Sequence, residues 1–474
     1  MKIFLVTLSA CLLFMGMRTG LPINDRSDII PTNNTTQDSL MIRQLFDQAL
    51  ANGESYKNLE YLCKVIGHRL SGSKQADEAI TWGKSVLDKM PLDRVVLQQI
   101  NIPFWERGDK EWAAISEEYD IDLSISTLGG SVGTDGLLQA EVIEVHNFEE
   151  LEARKDEVKG KIVFYNRPMD PRLISTFESY GGCVNQRYWG AVEAASYGAV
   201  AVLVRSMTLL EHDPHPHTGS MAYKEGVQKI PSAAVSTLDA NMLHTYIENN
   251  GSVLITMNLN PVTHTNVTSY NVLAEIKGKT HPEKVIVVGG HLDSWDVGQG
   301  AHDDGAGIVH SMEVLRIFKA VGYEPNYTIR VVLFMNEENG NMGGRSYADI
   351  AKKNNENHLV AIESDRGGFS PRGFSMVADS SQIAFVQSFR TLLEPYGLHY
   401  FEPGYGGVDI NPLKAPENLV NPKLMLMGLV PDSQRYFDYH HSADDVIENV
   451  NKRELELGCA SMAAMVYLLD RHLK

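Results

Sequence analysis

The second half of the chain constrains the fold most. From residue 268 onward, short apolar runs alternate with longer stretches of helical periodicity. Residues 285–288, 328–335, 359–362 and 424–429 read as strands, and 305–321, 345–353, 382–396 and 452–472 as helices. This alternation predicts an α/β fold, a mostly parallel twisted sheet flanked by helices. In such sheets the chemistry lies beyond the carboxyl ends of the strands.

The remaining length, within a chain of 474 residues, is organised differently. Lys2 precedes an apolar run over 3–15, broken only by Thr7 and Ser9 and followed by Gly16 and Gly20. That run is too short to span a membrane and suits a secretory signal over 1–20. Residues 21–44 begin polar and proline-bearing, which reads as a linker or removable pro-segment. Helical spacing already starts near Asp38, with Leu40, Ile42, Leu45, Phe46 and Leu50 on one stripe. Residues 45–129 are expected to form the N-terminal part of the main domain. The pattern changes over 130–245, where short strands at 161–165, 199–204 and 230–235 surround a small-residue helix at 190–198. Residues 246–474 complete the main domain.

Composition narrows the partners. Lys and Arg number 42 against 60 Asp and Glu, a formal charge of −18. Nucleic acid and anionic membrane are therefore disfavoured. Once Cys11 leaves with the signal, Cys63, Cys183 and Cys459 remain, too few for a disulfide-built fold but enough for one bridge and one free thiol. No thiolate zinc spacing is present, so any metal must be held by His and carboxylates.

Such residues gather at the strand ends. GGHLDSWDVGQGAHDDGAG (289–307) follows the strand at 285–288, NEENG (336–340) follows 328–335, and ESD (363–365) follows 359–362. FDYHHS (437–442) precedes Asp444 and Asp445. Any one of these acids has a bland reading, as Asp303 or Asp304 would merely cap the next helix. Four clusters on one sheet edge do not, because converging carboxylates repel strongly without cations between them. Two His with carboxylates suit zinc, with manganese or cobalt as substitutes. Five ligands with one bridging carboxylate would give each of two ions three protein ligands, and Glu337–Glu338 can supply one ligand and one base. Residue chemistry does not choose within the doublets Asp303–Asp304, Glu337–Glu338 and His440–His441. His212, His215 and His217 offer further metal-type side chains, with a solvated loop as the simpler expectation.

In this order, HLDSWD-x-G-x-GAHDDGAG, NEENG, ESDRGG and YHHS-x-x-D, with the upstream GHRLSGS, resemble the co-catalytic di-zinc exopeptidase family. The strand–helix–strand order over 130–245 resembles the protease-associated domain inserted in several secreted peptidases. The resemblance implies a zinc exopeptidase fold with that insertion and two Zn2+ per chain. It implies that His291 and Asp365 bind one ion, Glu338 and His440 the other, and that Asp303 bridges both. Glu337 would be the general base, Asp293 the carboxylate that orients the imidazole of His291, and Tyr439 a phenol near the oxyanion.

The implied reaction is hydrolysis of terminal peptide bonds in short peptides, especially dipeptides, by a homodimer. The stretch 400–420 would be a lid, a dimer contact or a plain surface loop. An inactive receptor-like protein of the same fold is the alternative, and a single-zinc glutaminyl cyclase another; the complete ligand set and the insertion favour a peptidase. The signal implies secretion, with lysosome, endoplasmic reticulum and Golgi as further stations. Sequons stand at Asn33, Asn34, Asn250, Asn266 and Asn326. At least two should carry glycan. Glycosidase treatment of protein from secreting cells should then increase its gel mobility, and unchanged mobility would refute the expectation.

Overall fold

A computed structural model describes residues 32–116 and 120–474. The signal expected over 1–20, and residues 21–31 of the expected pro-segment, lie outside the described residues. In chain order the strands are β1 (Arg94–Glu106), β2 (Glu111–Ile115), β3 (Ile121–Leu123), β4 (Ile125–Thr127), β5 (Leu138–Val145), β6 (Ile162–Tyr165), β7 (Ala201–Arg205) and β8 (Ser232–Val235). They continue as β9 (Leu254–Leu259), β10 (Val262–Ile276), β11 (His281–His291), β12 (Tyr327–Phe334), β13 (Asn357–Glu363), β14 (Pro371–Val377), β15 (Tyr400–Pro403) and β16 (Met425–Pro431).

These strands form two sheets, ordered β1-β10-β12-β11-β13-β16-β14-β15 and β3-β2-β9-β5-β6-β7-β8-β4. In the first, the central strands β12, β11, β13 and β16 are parallel. The flanks bring in antiparallel pairs, β1 with β10, β10 with β12, and β14 with β16. The α/β class therefore holds, with a mixed sheet whose parallel part is its middle. Alternation along those strands feeds two cores. Ile286, Val288, Ile329, Val331 and Leu333 face helices Thr32–Asn52, Ala306–Ala320 and Lys452–His472, whereas Val285, Val287, Val332 and Phe334 face helix Met342–Lys353. A strand buried on both faces reads as one apolar run, which is why VIVV was legible as a strand.

Two expected domain boundaries move. Residue 44 falls inside helix Thr32–Asn52, whose Ile42, Leu45 and Phe46 are buried in the larger core. Asp38, fully buried, accepts hydrogen bonds from Tyr467 at 2.8 Å and His472 at 2.8 Å and pairs with Arg471 at 2.9 Å. Residues 38–44 are thus part of the folded body. The insertion is also wider than 130–245, because its sheet runs from Glu111 in β2 to Leu259 in β9. The chain leaves and re-enters the main sheet along the antiparallel pair β1 and β10, and a strand's alternation does not say which sheet it joins.

The helix expected over 382–396 is broken into Ser380–Gln387, Arg390–Leu393 and a 3₁₀ turn, Glu394–Tyr396. At the break the Ser388 hydroxyl donates to the Phe385 carbonyl and competes with the helix for it. No bridge forms among Cys63, Cys183 and Cys459, which are free thiols buried in three separate apolar clusters. Among the described residues no helix is long and apolar enough to cross a membrane.

Burial pushes the Asp38 carboxyl up, but the hydrogen bonds from His472 and Tyr467 and the charges of His472 and Arg471 outweigh it and hold the group below its usual value. A carboxylate depressed in the folded state stabilises above its unfolded pKa of about 4 and loses that effect as pH falls through the folded value. Asp38→Ala should cost about 2–3 kcal/mol at neutral pH. In urea denaturation, the gap between wild type and variant should narrow as pH falls below about 4.

Candidate metal centre

Each predicted cluster sits where a strand of the parallel block ends. His291 is the last residue of β11, and its neighbours make close backbone approach necessary. A Cβ on Gly290 would stand 2.4 Å from Asp304 Oδ2, and one on Gly307 1.8 Å from the Ser364 carbonyl. Glycine at both positions lets the start of helix Ala306–Ala320 press against the ends of β11 and β13.

Tertiary contacts divide the labour within the acidic doublet. Asp304 turns to the backbone and accepts from the N–H groups of His291 and Gly307, both at 2.9 Å. Its carboxylate serves the backbone at the end of β11 and the start of helix Ala306–Ala320. Asp303 faces the site, with Oδ1 3.2 Å from His291 Nε2 and Oδ2 3.2 Å from His441 Nε2. Its own N–H and that of His302 donate to the buried carboxylate of Asp445, at 3.1 and 2.7 Å. Asp365, just past the end of β13, places Oδ1 3.5 Å from His291 Nε2. His291, Asp303 and Asp365 thus converge as one tripod.

At the second tripod both histidines of the doublet come to Asp303, with His441 the nearer. His441, not His440, reaches both carboxylates, with Nε2 3.2 Å from Asp303 Oδ2 and 3.2 Å from Glu338 Oε2. Its Nδ1 lies 3.2 Å from the Thr218 carbonyl, which fixes the tautomer that leaves Nε2 free as a ligand. His440 packs among the rings of Tyr180, Tyr436 and Phe437, with Nε2 3.7 Å from Asp303. Burial and the adjacent His441 charge hold its pKa well below the usual value. Adjacent residues leave the backbone in different directions, and only packing decides which one faces the carboxylates.

Asp293 does more than was expected and in a different way. The His291 Nδ1 lies 3.0 Å from the Asp293 backbone carbonyl, while its carboxylate stands 3.8 Å away. That carboxylate accepts the backbone N–H groups of Asn336, Glu337 and Glu338 at 2.8, 3.1 and 3.3 Å. It therefore ties the base and ligand segment to the end of β11. Among the described residues, the Glu337 carboxylate has no hydrogen-bond partner. Burial, reinforced by the charges of Asp365 and Glu338 and opposed by His291, pushes it well above the usual range. Burial and Asp303 push Glu338 up to about 7.

Tyr439 is not at the site's centre. It is half-buried, and its ring stacks on His302 at 5.3 Å. Tyr436 is buried, and its pKa is raised by burial and by the charges of Asp303, Asp365, Asp304 and Glu338.

These donors fit metal ions. Asp303 Oδ2 is buried 3.2 Å from an imidazole nitrogen without a hydrogen bond, and Glu338 Oε1 is buried without one. Oxygen and nitrogen atoms aimed at a common point rather than at each other are what a cation requires.

Several supports escaped sequence reading because they are long-range. Arg69, in GHRLSGS, is fully buried and donates to the carbonyls of Leu292, Gln299 and Gly300 at 2.6, 2.7 and 2.9 Å, shaping the segment between the two ligands. Glu363 accepts from the N–H groups of Val408 and Ile410 at 2.8 and 3.0 Å and so pins part of the 400–420 loop beside the site. The insertion enters through its histidine loop, which is not simply solvated. His217 is buried 3.0 Å from Asp213 and 2.7 Å from the His440 carbonyl, and His215 lies 2.9 Å from Asp444. His212 is exposed. Arg187, also buried, donates to the Thr218 carbonyl at 3.3 Å.

Residues 271–466 match Peptidase family M28. Carboxypeptidase Q of Xenopus laevis is 40% identical over 84% of this chain and 81% of its own. The chain belongs to peptidase family M28. The human carboxypeptidase Q is 36% identical, over 88% of this chain and 86% of its own. Among solved structures, a peptidase M28 precursor from Shewanella amazonensis SB2B superposes with a TM-score of 0.86 at 31% identity, covering 92% of this chain and 97% of that one. A zinc aminopeptidase from Bacillus subtilis shares the fold, with a TM-score of 0.62 at 22% identity, covering 87% and 94%. The M28 chain is thus a metallopeptidase of a zinc-binding family, as its motifs implied.

Glu337→Gln in this M28 chain should keep bound zinc while turnover falls by roughly 10²- to 10⁴-fold. Glu338→Ala and His441→Ala should both lose metal, and His440→Ala should lose far less. Metal analysis of the purified variants, paired with activity, checks the order, and metal loss from His440→Ala alone would reverse the histidine assignment.

Proposed function

We propose that the chain is a two-zinc exopeptidase that hydrolyses terminal peptide bonds of short peptides, especially dipeptides. The observation that carries this reading is the pair of tripods sharing Asp303, with the unpaired carboxylate of Glu337 beside them. Zinc at such a site supplies Lewis acidity, lowering the pKa of water and polarising the scissile carbonyl.

The chain's own residues do the rest. Asp303 and Asp304 are set by backbone contacts on either side, so the shared ligand needs little reorganisation. Asp293 fixes the backbone of Glu337, leaving its carboxylate to accept a proton from the attacking water and return it to the leaving amine. The cations at the site would lower the Glu337 pKa from its raised apo value and keep it in the base form. Thr218 and Arg187 of the insertion back the His441 ring, so the ligand set is complete only when both sheets are in place.

Carboxypeptidase action, as the names of two relatives state for them, would require a free C-terminus, whereas the site's surplus of carboxylates also favours a free amine. Secretion, passage through the Golgi or lysosome, removal of a pro-segment and homodimer formation accompany this reading. Asn250 and Asn266 are exposed and the better glycan acceptors, whereas Asn326 is half-buried.

The test joins metal analysis with a hydrolysis panel of free, N-blocked and C-amidated dipeptides. Two zinc per chain and cleavage of free dipeptides are expected, with activity lost on chelation and regained with zinc. Loss on N-blocking assigns an amine-reading dipeptidase, loss on C-amidation assigns a carboxypeptidase, and cleavage of none would favour the receptor-like alternative.

A further inference from the structure

Next to the metal centre stands a cation without a close ion pair. Arg366 directly follows the ligand Asp365 beyond the end of β13. Its Nη2 donates to the Tyr405 carbonyl at 3.2 Å, and its guanidinium carbon stands 5.4 Å from the ring centroid of Phe177, in the insertion. Phe177 in turn stacks on Tyr436 at 5.2 Å. Arg366 therefore lies between the 400–420 loop and the insertion, directly after a ligand of one tripod. Among the described residues its guanidinium forms no ion pair, although it is half-buried.

A guanidinium offers five donors, and one is used here on a backbone carbonyl. Asp365 and Glu363 are near enough to attract it, but neither forms an ion pair with it. Asp365 is committed to His291 at 3.5 Å, and Glu363 accepts the backbone of Val408 and Ile410. Two dications would offset the charges of Asp303, Glu337, Glu338 and Asp365, which weakens the pull of Asp365 on Arg366. Arg187 and Arg69, also close to the site, are buried and turned to backbone carbonyls. A planar fork with free donors on an aromatic face is suited to a carboxylate.

We propose that Arg366 binds a carboxylate of the peptide substrate, either an acidic side chain or the free C-terminus, and so selects anionic short peptides. This rests on the exopeptidase reading and names the substrate class for it. A purely structural role for Arg366, holding the Tyr405 loop against Phe177, predicts the same loss for every substrate.

The test uses the zinc-loaded full chain and peptide pairs that differ only in charge. These are Glu-containing against Gln-containing dipeptides, and each dipeptide against its C-amidated form. Wild type should favour the carboxylate-bearing member of at least one pair by roughly ten- to hundredfold in kcat/KM, chiefly through KM. Arg366→Met should erase that preference while still turning over the neutral member, and Arg366→Lys should restore part of it. A preference in the Glu/Gln pair assigns the side chain, and one in the free/amidated pair assigns the C-terminus. Either supports the proposal. Equal losses on charged and neutral peptides, no preference in wild type, or a preference that survives Arg366→Met overturns it. Melting curves of both variants establish that they fold. Should wild type cleave none of these peptides, the exopeptidase reading fails by itself. Calorimetric binding of glutarate against glutaramide then decides the carboxylate site, weaker glutarate binding in Arg366→Met supporting it and unchanged binding overturning it.

Discussion

The structure depends on bringing buried carboxylates closer together than their charges allow in the absence of cations. Asp303, Glu337, Glu338 and Asp365 converge at the end of a parallel sheet, and mutual repulsion with burial raises the pKa of Glu337, Glu338 and Asp365. The fold holds them there through the backbone. Asp293 gathers three successive N–H groups after β12, Asp445 takes two before helix Ala306–Ala320, and Asp304 takes two more. Carboxylates that are not ligands thus position those that are, and metal ions would complete the compensation.

That arrangement explains why the insertion is part of the site rather than an appendage. The His440–His441 segment is held from the second sheet, through the His217 side chain on the His440 carbonyl and the Thr218 backbone on His441. Displacing the insertion would free the His441 ring to rotate and would uncover the aromatic packing of Phe177 and Tyr180 against Tyr436 and Phe437. The paired strands β1 and β10 carry the chain out and back, and this limits how far the two sheets can separate.

The motifs made much of the site legible. His291, Asp303, Glu338 and Asp365 stand in the two tripods because strand ends in a parallel block point to one edge, a property that periodicity reveals. The standing of His440, Tyr439 and Asp293 could not be read from the motifs, for a common reason. In DYHHS and HLD, neighbouring side chains are chemically interchangeable, and their directions depend on partners such as Thr218, His302 and Asn336 that lie up to hundreds of residues away. Domain edges failed similarly, since alternation in 111–127 shows a strand without naming its neighbour.

By itself, the sequence determined the class of fold, the metal chemistry and the family, because apolar periodicity and ligand type are local properties of the chain. Only the tertiary structure decided which member of each doublet faces the metal centre, that the insertion supports His441, and that Arg366 stands between the 400–420 loop and Phe177 without a close ion pair. These are facts about direction and distance between remote segments. Packing of two sheets against shared backbone donors sets them, and composition and spacing do not encode them in any single stretch.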